Sequence, residues 1–141
     1  MRHLIAATAA ISVITACGGA PPNEKILTDS CTDLFSGDAR SESMITGDAG
    51  TDVASFCACY ASQTVADTET TALHKDILSE MVSIKTADDL NVEDTADRIE
   101  AGIESGTIDT FTEAQFDALG DEFQALSRAM YDNGGSCPPT S

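Results

Sequence analysis

Apolar residues recur three and four positions apart along most of the chain after residue 26, which is the spacing of one face of an α-helix. The clearest case lies near the C-terminus, where Thr112 and Gln115 fit a capping box. The apolar positions that follow it are Phe116, Leu119, Phe123, Leu126 and Met130. This pattern predicts a helix that ends at Gly134 and Gly135.

Four earlier segments show the same spacing. Their apolar positions are, in chain order, Leu27, Cys31 and Leu34; Val53, Phe56, Cys57 and Tyr60; Leu73, Ile77, Met81 and Ile84; and Val92, Ala96, Ile99 and Ile103. The first of these helices ends at Gly37, and the last begins after Asn91 and ends at Gly106. The polar, glycine-containing segment 41–50 predicts a loop.

Five amphipathic helices without a convincing strand predict an all-α fold, a small bundle whose apolar faces share one core. Residues 26–141 are expected to form a single helical domain, because their length suits one modest core and no internal repeat divides them. Large apolar side chains are sparse and alanine is common. The core is therefore thin for its length, and covalent cross-links are expected to add to its stability.

The first sixteen residues differ in character from the rest of the chain. Arg2 gives a positive start and Leu4 to Ala16 carry no charge, which is the shape of a signal peptide. A helix over this uncharged run rises only about 20 Å, short of the roughly 30 Å hydrocarbon core of a bilayer. The run ends in Ile14-Thr15-Ala16-Cys17. This sequence resembles the lipobox of bacterial lipoproteins, in which an aliphatic residue and two small residues precede a cysteine.

The resemblance implies that a signal peptide, residues 1–16, is removed and that Cys17 carries a lipid. It implies a thioether-linked diacylglycerol on the sulfur and a further acyl chain, such as palmitate, on the new amine. Two or more chains anchor a protein where a single one does not. Gly18 stands where an Asp would favour the inner membrane, so the resemblance implies the outer membrane, facing the periplasm. Residues 17–25 predict a flexible tether, because they contain turn formers and no apolar periodicity.

The chain is strongly acidic, with 24 acidic and seven basic residues and a net charge of −17. Loss of the leader removes only Arg2 among the charged residues, which makes the side-chain charge about −18. This balance repels phosphate backbones and anionic lipid headgroups, and no basic surface is predicted to overcome it. We therefore expect no nucleic acid partner, and membrane attachment through the lipid anchor alone. Solubility is the simplest explanation of the acidity; a basic partner or loosely held cations are the alternatives.

Four cysteines remain once Cys17 carries lipid, an even number in a compartment that oxidises thiols. They are Cys31, Cys57, Cys59 and Cys137, and two disulfides are expected. Cys57 and Cys59 would lie about 200° apart around a helix, so a bond between them would be strained. Cys31 and Cys57 each lie on an apolar helix face. This favours Cys31 with Cys57 and Cys59 with Cys137, and leaves the swapped pairing open.

A thiol-redox or metal-handling factor of the periplasm is the alternative function, using Cys57 and Cys59. Redox chemistry needs a depressed thiol pKa, and acidic surroundings in mid-helix would raise it. Thiolate metal sites usually show paired Cys-x-x-Cys motifs, and only one histidine, His74, follows the leader. That histidine is expected to be a solvated helix residue beside Lys75. The sequence therefore predicts no metal site.

No motif of a known enzyme mechanism occurs in the chain. Adjacent acids such as Asp88-Asp89 and Asp121-Glu122 fall on polar faces or at helix starts, where nothing desolvates one carboxyl enough to hold its proton. We therefore expect no catalytic residues and no cofactor. The sequence favours a non-catalytic cell-envelope lipoprotein with an interaction or structural role and an unidentified protein partner in the envelope.

Overall fold

A computed structural model describes residues 21–139, and this part of the chain is all-helical, with no strand. The leader and the predicted lipidation site at Cys17 lie outside the described residues. The six helices are α1 (Pro22–Phe35), α2 (Ala39–Asp48), α3 (Val53–Thr64), α4 (Thr68–Asp88), α5 (Val92–Glu104) and α6 (Glu113–Asp132). In the described part, no helix is both long enough and apolar enough to cross a membrane. The all-α class expected from the sequence is confirmed.

Two sequence expectations are wrong in detail. The predicted loop 41–50 is mostly helix α2, so the described helices number six rather than five. This helix buries only Ser41 and Ile45, and so shows no apolar periodicity. The predicted tether 17–25 is also too long at its C-terminal end, because α1 begins at Pro22. Proline suits the first turn of a helix, where its missing N–H would have no partner in any case.

Side-chain caps fix the starts of the last four helices. Asp52 accepts a hydrogen bond from the backbone N–H of Ser55 at 2.7 Å, and Asp67 caps Thr70 at the same distance. Asn91 caps α5, as the sequence predicts. The capping box of α6 is also confirmed: the side chain of Gln115 accepts from the N–H of Thr112 at 2.9 Å, and the Thr112 hydroxyl accepts from the N–H of Gln115 at 3.3 Å.

One carboxylate, that of Asp38, begins two helices at once. Its Oδ1 accepts hydrogen bonds from the N–H groups of Arg40 and Ser41 in α2, each at 3.0 Å. Its Oδ2 accepts from the N–H of Val92, the first residue of α5, at 2.8 Å. Burial acts to raise the pKa of Asp38, but these three hydrogen bonds outweigh it and hold the pKa below its usual value. Asp38 therefore joins α2 to α5 through backbone groups.

We expect Asp38→Ala to lower the free energy of unfolding by about 2 kcal/mol, because the N-termini of two helices lose their acceptor. Asp38→Asn keeps an amide oxygen for α2 but loses the acceptor for Val92, and should cost about 1 kcal/mol. Since the pKa of Asp38 is lowered in the folded protein, its contribution is present above pH 4 or so and is lost as the pH falls. Urea unfolding of the wild type and the two variants at pH 7 and pH 3.5 measures the losses in stability and their dependence on pH. Equal losses in Asp38→Ala and Asp38→Asn would contradict the role of Asp38 as the cap of both α2 and α5.

The core is built around α1, which packs against α3 and α4, while α5 packs on α4 and α6 lies against α2 and α3. The largest fully buried apolar side chains are Phe56, Leu27, Leu34, Ile77, Leu78, Ile99, Leu119 and Met130. Rings from three helices meet beside them: Phe123 lies 4.7 Å from Tyr60 and 5.2 Å from Phe35, measured between ring centroids. Most of these positions belong to the apolar faces predicted from the sequence.

Two disulfides connect the helices. Cys31 of α1 is bonded to Cys57 of α3, with 5.6 Å between their Cα atoms, and Cys59 of α3 is bonded to Cys137 in the C-terminal segment, with 5.4 Å. These are the pairs favoured by the apolar helix faces on which Cys31 and Cys57 lie. The first bond lies within the core, whereas the second fastens the chain end that follows α6 to the outside of α3.

Candidate functional site

The cysteines in the described part of the chain are all engaged in structural bonds. Cys57 and Cys59 are bonded to different partners and are almost completely buried. They are therefore not arranged as an exchangeable pair, which a thiol-redox function would require. Within residues 21–139, no group of three or more His, Cys, Asp and Glu side chains is placed to hold a metal ion.

His74 is buried, and the expectation that it is solvated is wrong. Only 2% of the residue is exposed, and its Nδ1 lies 2.7 Å from the hydroxyl of Tyr60 in α3. The two rings are stacked, with an angle of 8° between their planes. The expectation followed the neighbouring Lys75, whereas the spacing of His74 from Ile77 and Leu78, three and four positions later, places it on the buried face of α4. Its polar partners come from other helices.

The pKa shifts of Tyr60 and His74, together with the position of Glu122, indicate where the protons of these two side chains lie. Burial, with a smaller effect from the negative charge of Glu122, raises the pKa of Tyr60, so the phenol keeps its proton. Burial lowers the pKa of His74 more than the attraction of Glu122 raises it, so the ring is neutral. Nε2 lies 3.7 Å from a carboxylate oxygen of Glu122 in α6, which favours the tautomer with the ring proton on Nε2 and leaves Nδ1 to accept a hydrogen bond from the Tyr60 hydroxyl. Because the ring is inaccessible to a substrate, we interpret this arrangement as a polar bridge between α3, α4 and α6.

We expect this bridge to make stability depend on pH. Folding lowers the pKa of His74, so as the pH falls the unfolded chain binds a proton at a higher pH than the folded protein does. The stability contributed by neutral His74 is therefore complete above about pH 6.5 and is lost as the pH falls below that value. In His74→Asn, the amide oxygen can replace Nδ1 as the acceptor for Tyr60 without titrating. Urea unfolding at pH 7.5 and 5.5 should show a smaller loss in this variant than in the wild type. The same loss in both proteins would contradict the assignment.

A groove, called the α2–α6 groove below, lies between α2 and α6. It encloses about 870 Å³, within the usual range for a ligand pocket. Its apolar lining comes mainly from Phe35, Met44, Phe56, Phe123 and Tyr131. A second cavity of about 480 Å³ lies along the same helix α6 and shares four residues with the groove. The two cavities together therefore border a long part of α6.

Large apolar side chains are exposed beside this groove rather than scattered over the surface. The exposed large hydrophobic residues in the described part of the chain are Met44 at 52%, Tyr131 at 63% and Ile26 at 43%. Met44 on α2 and Tyr131 on α6 both line the groove, and Ile26 does not. Met side chains adapt to different partners, and Tyr is enriched at protein interfaces. These two residues therefore resemble the anchors of a binding surface.

Both helices that form the groove carry a glycine in its lining, Gly47 in α2 and Gly120 in α6. Neither has a positive φ, and a Cβ atom added to either would meet nothing within 4 Å. Backbone conformation and close packing therefore do not require glycine at these positions. A glycine inside a helix costs roughly 0.5–1 kcal/mol relative to alanine. Without side chains, both glycines leave open space in the lining of the groove. Residues that go against helix propensity in this way are concentrated at functional sites.

We expect Gly47→Ala and Gly120→Ala each to raise the free energy of unfolding by about 0.5–1 kcal/mol, because helix propensity improves and no atom is displaced. Gly102→Ala is the contrasting variant: its Cβ would lie 2.7 Å from Cδ1 of Ile108, so the Ile108 side chain would have to move. Chemical denaturation of the three variants measures the difference. A loss of stability in both groove variants would mean that these glycines are needed for the fold itself.

Sequence reasoning missed the groove because it missed helix α2, which forms one of its two walls. In isolation, Met44 and Tyr131 are ordinary surface residues, and the only available signal was two glycines at helical positions without a turn. No protein-family model, curated protein or solved structure matches this chain. The interpretation of the groove therefore depends on its own residues.

Proposed function

We propose that this protein is a non-catalytic lipoprotein of the bacterial cell envelope whose helical domain binds another envelope protein in the α2–α6 groove. Cys17 would hold it in the outer membrane, facing the periplasm. The observation that carries the binding role is the groove itself, with Met44 and Tyr131 exposed along it. Exposed apolar side chains that border a concave apolar surface are typical of protein interaction sites.

Support for the anchor comes from the lipobox sequence Ile14-Thr15-Ala16-Cys17. The start of α1 adds a geometric limit, because only residues 18–21 lie between Cys17 and the first helical residue, Pro22, five positions along the chain. Five residues of fully extended chain span at most about 18 Å. A domain attached in this way would stay close to the bilayer, and its partner would be a protein that is also at the membrane surface.

Support for a non-catalytic role comes from what the described groups are doing. The cysteines are cross-linked, and His74 and Tyr60 satisfy one another inside the core. The groove is lined mainly by apolar groups. The carboxylates at its edges, such as Asp48 and Asp132, are exposed to solvent, whereas general acid–base work needs a carboxyl desolvated enough to hold its proton.

Site-specific photo-crosslinking in living cells tests this function. A photo-reactive phenylalanine analogue would replace Met44 in the groove or, as a matched control, Ile26, which is similarly apolar and exposed but lies outside the groove. We expect irradiation to give a discrete adduct with a membrane-associated protein from position 44 and none from position 26. The same adducts from both positions, or none from position 44, would contradict a binding role for the groove.

A further inference from the structure

We infer that the segment bound in the α2–α6 groove is a basic amphipathic helix of the partner protein. The inference rests on the binding role proposed above and adds the chemistry of the partner. In this arrangement, the apolar face of the incoming helix lies against Met44 and Tyr131, and its lysines and arginines lie over carboxylates at the edges of the groove. The shape of the cavities, the charges beside them and the glycines in their walls all favour this occupant.

The shape of the site suits an elongated apolar surface. The groove and the second cavity share Phe35, Gly120, Phe123 and Gln124, so they meet at the middle of α6. Together they provide a row of space beside one helix rather than a single deep pocket. A helix that binds in a groove inserts apolar side chains at positions i, i+3 or i+4, and i+7, which also form a row.

The charges beside the two cavities favour a cationic occupant. Four exposed aspartates line them: Asp48, Asp117, Asp121 and Asp132. Arg128 is the cation in the lining, and its Nε donates a hydrogen bond to the carbonyl oxygen of Gln124 on the same helix. The whole chain carries a net charge of −17. A fatty acid or an anionic lipid would bring a like charge to this edge, whereas lysine and arginine residues would be attracted to it.

The glycines provide the third argument. At Gly120, where the two cavities meet, a side chain would extend into open space. Gly120 lines both cavities, so its lack of a side chain leaves the space where they meet unobstructed at this position. A single-pocket ligand would not need this connection, but a helix presenting several side chains would. Gly47 widens the opposite wall in the same way.

A designed peptide supplies the test. The probe is a fluorescent 18-residue helix with leucines on one face and lysines on the other, and its control has glutamates in place of the lysines. The protein is the chain without its leader, residues 17–141, with disulfides formed and Cys17→Ser, so that neither an acyl chain nor the apolar leader competes for the peptide. Fluorescence anisotropy should show saturable, micromolar binding of the lysine peptide that weakens as salt is added, and at least tenfold weaker binding of the glutamate peptide.

Variants locate the binding. The double variant Met44→Ala/Tyr131→Ala, and separately Gly120→Leu, should each weaken binding of the lysine peptide at least tenfold, whereas Ile26→Ala should leave it unchanged. Thermal melts of the same samples distinguish lost binding from lost folding, and a Cβ atom at Gly120 displaces no neighbouring atom. Equal binding of both peptides, or no effect of the groove variants, would overturn the inference. So would tight, salt-independent displacement of the lysine peptide by laurate, which would assign the groove to an acyl chain.

The two proposals fail in different ways. If position 44 crosslinks to a membrane protein in cells but the lysine peptide does not bind, the binding role stands and the basic-helix inference is wrong. If the peptide binds with the expected variant pattern, the chemistry of the groove is supported independently of which protein carries the helix.

Discussion

Reduction of the two disulfides is expected to unfold the domain, or to lower its melting temperature by tens of degrees. The Cys31–Cys57 bond closes a sequence separation of 26 residues and the Cys59–Cys137 bond one of 78. In the chain-entropy description these loops stabilise the folded state by about 3.5 and about 4.5 kcal/mol. The net stability of a typical domain is only about 5–15 kcal/mol. A thin core therefore depends on both bonds.

Circular dichroism during heating, with and without excess reductant, measures this effect. The pairwise variants Cys31→Ala/Cys57→Ala and Cys59→Ala/Cys137→Ala should each melt well below the wild type, and the variant lacking all four cysteines should be insensitive to reductant. An unchanged transition in reductant, with loss of the disulfides verified by mass, would show that the helices do not depend on their cross-links.

Gly135→Ala is expected to be the most damaging single glycine substitution, lowering the free energy of unfolding by about 3 kcal/mol or more. Gly135 has a φ of +81°, and a Cβ atom there would lie 2.4 Å from the carbonyl oxygen of Gly50. That oxygen belongs to the backbone of the turn between α2 and α3, which cannot rotate away as a side chain could. The substitution would therefore separate the end of α6 from this turn.

Gly134→Ala is the matched control. Gly134 also has a positive φ, +64°, but a Cβ atom there would meet nothing within 4 Å. It should cost only about 1–2 kcal/mol, the penalty for a side chain in the left-handed region. Urea denaturation of the two variants isolates the close backbone approach from the conformational penalty. Equal losses would mean that Gly50 and Gly135 do not need to lie against one another.

The helices with both an apolar face and a capping residue could be predicted from the sequence. Helix α6 is the clearest example, because Thr112 and Gln115 fix its start and one face of it supplies Phe116, Leu119 and Met130 to the core. Local signals of this kind depend on residues a few positions apart. They remain valid wherever the helix is placed.

Helix α2 could not be predicted in the same way, because it rests on contacts that are distant in sequence. It buries Ser41 and Ile45 only, and its N-terminal cap Asp38 also binds the backbone of Val92, 54 residues away. Its apolar residue Met44 faces the groove instead of the core. A helix that forms one wall of a groove and buries few side chains shows no periodic pattern of apolar residues in its sequence.

The disulfide partners could be inferred because helix geometry narrows the choice. Two cysteines separated by one residue lie on nearly opposite sides of a helix, which makes a bond between Cys57 and Cys59 strained. The apolar faces that carry Cys31 and Cys57 then favour the pairing seen in the structure over the swapped one. His74 shows the limit of such reasoning. Its burial depends on Tyr60 of α3 and Glu122 of α6, and neither contact follows from the spacing of residues within α4.

Intact mass spectrometry of the protein extracted from membranes tests the central proposal most directly, that this chain is a lipid-anchored envelope protein. The expected mass corresponds to a chain that begins at Cys17, carries a diacylglycerol and a further acyl chain, and has lost four hydrogens through two disulfides. A water-soluble protein recovered from the cytosol, still beginning at Met1 and with free thiols, would contradict it.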